Sequence, residues 1–81
     1  MANKAELTKF VYDVVAELAD LDRGEIKGTD RLREDLGLDS LQSMEMLSRV
    51  SEEFDIDPDM EEVMKVNTVD ETITALSGVL S

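Results

Sequence analysis

Residues 34–46 read EDLGLDSLQSMEM. Asp39 and Ser40 are both favoured helix N-cap types. From Ser40 onward the apolar residues recur at helical spacing. At about 100° per residue, Ser43, Met46, Leu47, Val50 and Phe54 share one side. Leu41, Glu45, Ser48 and Glu52 share the other, with Met44 near its edge. The stretch predicts a helix over 40–54 with an inner core stripe and an acidic outer stripe around Leu41. Gly37 is expected to supply a positive φ just before it.

Outward from this helix, the pattern stays helical. Leu7, Phe10, Val11, Val14, Val15 and Leu18 repeat at offsets of three and one, and Asn3 with Glu6 forms a capping-box pattern. These predict a first helix over 4–19. Residues 21–39 hold three of the four glycines and no sustained period, so a long connection is expected, held down by Ile26, Leu32, Leu36 and Leu38. TDRLRED, at 29–35, is expected to make one helical turn capped by Thr29 or Asp30. Asp57 followed by Pro58 resembles an N-cap with proline at the first helical position, which predicts a short third helix over 59–65. Thr68 and Glu71 form a second capping box before Ile73, Leu76 and Leu80, predicting a last helix over 69–79. No segment alternates as a strand does. The expected fold is all-α: one domain, a small four-helix bundle with a long loop between the first two helices and a short third helix.

Composition removes whole classes of function. The chain has 81 residues, 20 Asp plus Glu, 8 Lys plus Arg and a net charge of −12. Such a surface repels nucleic acid and anionic membranes, and it suits partners with basic patches. With no cysteine and no histidine, there is no thiolate metal site and no imidazole base. No apolar run reaches the roughly 20 residues of a membrane span, and the N-terminus lacks the apolar stretch of a signal peptide. A cytoplasmic monomer is expected. Asp55, Asp57, Asp59 and Glu61 imitate the opening of a calcium loop. Met60 and Val66 then stand where an EF-hand needs glycine and a bidentate glutamate, so no metal site is expected.

Two readings of Ser40 stay open. Either Asp39 or Ser40 caps the helix, worth about 1 kcal/mol, or Ser40 is a point of modification, since a helix N-terminus favours a phosphate. With no His or Lys base beside it, Ser40 is no self-activated nucleophile. If its hydroxyl reacts, another enzyme activates it.

EDLGLDSLQSMEML resembles the attachment segment of the acyl carrier protein family, whose core pattern is Leu-Gly-x-Asp-Ser-Leu followed by an acidic helix. The likeness extends to EEFD at 52–55, the proline before the short helix, and TVDETITAL at 68–76. It implies a four-helix bundle that is not an enzyme. A phosphopantetheinyl transferase would attach 4′-phosphopantetheine from coenzyme A to Ser40. The arm's thiol would then carry acyl groups as thioesters between acyl-transferring and ketosynthase-type enzymes of fatty-acid or polyketide biosynthesis. The resemblance assigns docking on basic patches to Asp39, Glu45, Glu52, Glu53 and Glu61, with Leu41 and Met44 as the apolar centre. The same acids also read as a solvated helix face. Acyl chains would enter among Met46, Leu47, Val50, Phe54, Val63, Val66 and Ile73, with Met60 and Met64 as a pliable wall; these residues read equally as core. Gln42 and Ser51 depart from the family pattern, standing where many members carry acids, and Pro58 arrives one residue early. An aminoacyl carrier, or an acidic helical module without a prosthetic group, is the alternative.

Overall fold

The computed structural model describes residues 3–80. Four helices follow one another: α1 (Lys4–Ala19), α2 (Ser40–Phe54), α3 (Met60–Val63) and α4 (Val69–Leu80), with a 3₁₀ turn at Arg23–Glu25. The apolar stripes of α1, α2 and α4 close on one another, with α1 packing against both α2 and α4. Leu7, Val11, Val15, Leu47, Val50 and Leu76 are fully buried at the centre. Phe10 and Phe54 meet edge to face, ring centroids 5.6 Å apart, along the α1–α2 contact. All-α architecture and the bounds of α1 and α2 stand as the sequence predicts, and α4 runs one residue further, to Leu80.

The radius of gyration is 11.3 Å, against about 11.7 Å for a compact chain of this length. A long connection left in solvent would exceed that. Instead Ile26, Leu32, Leu36 and Leu38 all plug into the core. Backbone bonds hold the loop to the start of α4: Leu32 N–H donates to Asn67 O (2.8 Å), Val69 N–H to Asp30 O (3.1 Å) and Asp70 N–H to Gly28 O (2.9 Å). Arg31 and Thr68 form an antiparallel bridge. This is one isolated pair, and the strand-free reading stands for the described residues. Gly28 lets the Asp70 carboxylate approach closely, and a Cβ there would push that side chain aside.

Two expectations are corrected. The turn in 29–35 is not capped by Thr29 or Asp30. Its bonds run from Asp35 N–H and Leu36 N–H to Arg31 O. Asp35 Oδ2 accepts the Arg31 backbone N–H (2.8 Å), and Asp30 Oδ2 caps backward onto Lys27 N–H. The third helix is four residues, not seven. Asp59, not Asp57, supplies its cap, accepting Glu61 N–H on Oδ1 (3.0 Å). Pro58 therefore lies before the cap, buried, where its ring serves packing. Lys65 N–H to Glu62 O and Val66 N–H to Val63 O are i−3 bonds, so the segment tightens and ends.

The Arg31 backbone N–H, then the Arg31 guanidinium, hold the Asp35 carboxyl below its ordinary range. A carboxylate with a lowered folded pKa contributes stability above the unfolded pKa and loses it as pH falls through the folded value. Asp35→Asn is therefore expected to lower the melting temperature modestly at pH 7. Melts of both proteins from pH 7 to pH 2 should converge below the usual aspartate range. A gap that stays constant with pH contradicts this account of the loop.

Candidate functional site

Leu38 is 1 % exposed and Leu41 is 75 % exposed. Over those three steps the chain climbs from the core to the surface, and Ser40 stands at the crossing. Gly37, at φ 71, makes the bend, in a region that any side chain would strain. Leu38 N–H donates to Leu32 O (2.8 Å), which closes the loop beneath the bend.

The capping question resolves in favour of Asp39. Its Oδ1 accepts Gln42 N–H (2.8 Å), and Gln42 Oε1 accepts Asp39 N–H (3.2 Å), a complete capping box. Gln42 Nε2 also donates to Leu18 O at the end of α1 (3.1 Å). Gln42, read from sequence as a missing acid, is thus a joint between α1 and α2. It closes the box without adding charge, and the first turn of α2 holds no acidic residue, whereas the first turns of α1, α3 and α4 all do.

Ser40 is consequently the first helical residue, exposed and free of capping duty. Among the described residues its side-chain partner is Arg33, whose Nη2 donates to Oγ at 3.1 Å. A guanidinium is a cation and a donor, never a base. Among the described residues no base contacts the Ser40 hydroxyl.

Asp39, Leu41, Met44, Glu45, Glu52, Glu53 and Glu61 are all exposed. Leu41 and Met44, at 75 % and 47 % exposure, form an apolar spot beside Glu45. Arg49 lies 3.8 Å from Glu45 and 2.8 Å from Glu17, so part of this charge is balanced internally. Between α2, α3 and the long loop lies a cavity of about 210 Å³. Of the proposed pocket residues, Met46, Leu47, Val63 and Val66 line it, with Met64 beside them. Val50 and Ile73 are core, and Phe54 packs on Phe10. The Met60 side chain lies outside the described residues. Ser43, Arg31, Arg33 and Glu34 make the cavity partly polar. Among the described residues, no three Asp or Glu gather to hold a metal. No helix there is long and apolar enough to cross a membrane.

A family model described as the phosphopantetheine attachment site matches residues 9–76. The acyl carrier protein of Clostridium acetobutylicum is 38 % identical over 68 residues, covering 84 % of this chain and 88 % of that protein. Those of Chlorobium phaeovibrioides and Chlorobium phaeobacteroides are 31 % and 30 % identical over 70 residues, covering 86 % of this chain and 90 % of each. The chain belongs to the acyl carrier protein family, whose cofactor is covalent phosphopantetheine. It is a carrier and not a catalyst, working with a transferase and with biosynthetic enzymes.

Gln42→Ala removes two side-chain bonds and the α1–α2 joint. It is expected to cost about 1 kcal/mol, or roughly 4–8 °C in melting temperature for a domain of this size. Thermal unfolding checks this, and an unchanged melting temperature would show that Asp39 alone secures the turn.

Proposed function

We propose that Ser40 carries the phosphopantetheine, and that the chain is a discrete, cytoplasmic, single-domain acyl carrier of fatty-acid or polyketide biosynthesis. One observation supports this above others: Ser40 is exposed at the first position of α2, free of capping duty and held by a cation, with no base on its hydroxyl among the described residues. Ser40 Oγ forms the new bond to phosphorus as the pyrophosphate of coenzyme A breaks. Its proton goes to a base of the transferase, and adenosine bisphosphate leaves. The phosphodiester's negative charge then meets the N–H groups of the first turn of α2 and the positive end of the helix dipole.

The bound arm supplies the thiol that a chain without cysteine lacks. The chain's residues set where that arm starts and what it meets. Leu41 and Met44, ringed by Asp39, Glu45, Glu52, Glu53 and Glu61, form the docking face for partners with basic patches, including the transferase and ketosynthase-type enzymes. Each rim acid governs association rate and salt dependence more than final affinity. LGLDSL at 36–41 favours acyl over aminoacyl cargo.

The cavity beside Ser43 and Met46 is the place for the cargo's chain. Its volume of about 210 Å³ limits how much of that chain it can take.

Incubating the apo protein with coenzyme A and a broad-range phosphopantetheinyl transferase should add the mass of the arm to wild type and nothing to Ser40→Ala. A wild type that gains no mass defeats the proposal and leaves an acidic interaction module. Loading the arm with acyl groups of rising length should raise the melting temperature, each buried CH₂ adding at most about 0.8 kcal/mol of stability, until the cavity is full. A melting temperature independent of length would place the cargo in solvent.

A further inference from the structure

Of four arginines, three are in ion pairs: Arg23 with Asp13, Arg31 with Glu34 and Asp35, and Arg49 with Glu17 and Glu45. Arg33 joins none among the described residues. With 20 acids against 8 cations, an arginine with no carboxylate is a departure that charge counting does not predict. Its side chain reaches seven residues along the chain and donates to the neutral Ser40 hydroxyl (3.1 Å). A guanidinium fork is shaped for two oxygens of one anion, and a single hydroxyl fills only one arm of it. Arg33 also lines the cavity between α2 and α3, on the Ser43 and Met46 side, away from Leu41 and Glu45.

The geometry points to Arg33 as a positioning residue for the modified serine, an inference that rests on the assignment of Ser40 above. Once Ser40 Oγ bears a phosphodiester, the charged oxygens lie two bonds beyond the atom that Arg33 already touches. The guanidinium exchanges one neutral hydrogen bond for charge-assisted ones, which are roughly twice as strong. That contact pins the root of the arm on the cavity side of α2. It biases the arm toward the cavity mouth and leaves the Leu41–Met44 face open to partners. Arg33 is exposed, so the contact is screened by salt.

The test compares wild type, Arg33→Gln and Arg33→Lys, each as apo and as fully loaded holo protein, with loading confirmed by intact mass. The apo measurements subtract whatever Arg33 does for the fold alone. The melting temperature gained on loading should be larger in wild type than in Arg33→Gln by about 1–4 °C at low salt. That difference should vanish near 1 M NaCl, where the Debye length is about 3 Å. Arg33→Lys, with charge but no fork, should fall between. The ³¹P resonance of the diester should differ between wild type and Arg33→Gln at low salt and coincide at high salt. Equal gains on loading and identical ³¹P shifts in wild type and Arg33→Gln overturn the inference while leaving the Ser40 assignment standing. A wild type that never loads removes both.

Discussion

The set of backbone bonds between residues 28–32 and 67–70 is the constraint on which the site depends. Without it, the connection from α1 to α2 would be a tether, and Ser40 would sit wherever that tether allowed. With it, Leu32 is fixed to the start of α4, Leu38 is bonded back to Leu32, and the bend at Gly37 is fixed in turn. Four buried loop side chains add an apolar contribution of roughly 1.5–3 kcal/mol each at most. The loop is thus a packed element that happens to lack regular structure. Its burial sets the height at which α2 emerges and therefore the exposure of its first residue.

At that point two demands conflict. A helix start needs a side chain to satisfy its free N–H groups, and acids do this well. A phosphate needs the same N–H groups and is repelled by acids. The sequence divides the work. Asp39 turns its carboxylate to Gln42 N–H, and neutral Gln42 closes the box. Ser40 is left outside the box as the first helical residue. Arg33 adds a positive side chain in hydrogen-bond contact with Oγ. In a chain of net charge −12, a first turn of α2 without acids and a cation at its first residue offset the Asp39 carboxylate locally.

Much of this was legible in sequence because it is local. Helix period and capping boxes gave α1, α2 and α4 to within a residue, and the buried loop anchors were read correctly from their residue types. What escaped was set by contacts distant in sequence or by competition between neighbours. The bonds from the loop to the start of α4 join residues more than thirty apart. The start of α3 turned on which of two aspartates captured an N–H group, and both fit the pattern. Gln42 was seen as an acid that is absent, because its second bond, to Leu18 O, belongs to another helix. Arg33 offered no signal beyond its spacing from Ser40. A charge count asking which cations have acids three or four residues away would have marked Arg31 as paired, with Glu34 and Asp35, but it would not have placed Arg33 on a hydroxyl.

The position of the cavity follows from the same distribution of ties. The faces of α1, α2 and α4 are joined by fully buried aliphatic residues, so opening them would expose the centre of the core. The α3 segment has four helical residues, ends in i−3 turns, and packs mainly on α4. Only Val63 of its helical residues with a described side chain is buried. Separating α3 from α2 therefore exposes little of α3 that is apolar. Met46 and Met64 line the space there, and methionine side chains repack with little strain. Sequence periodicity cannot locate such a space, since residues lining a cavity and residues filling a core follow the same period. Val50 and Val63 show this: each lies on its helix's inner stripe, yet only Val63 faces the cavity.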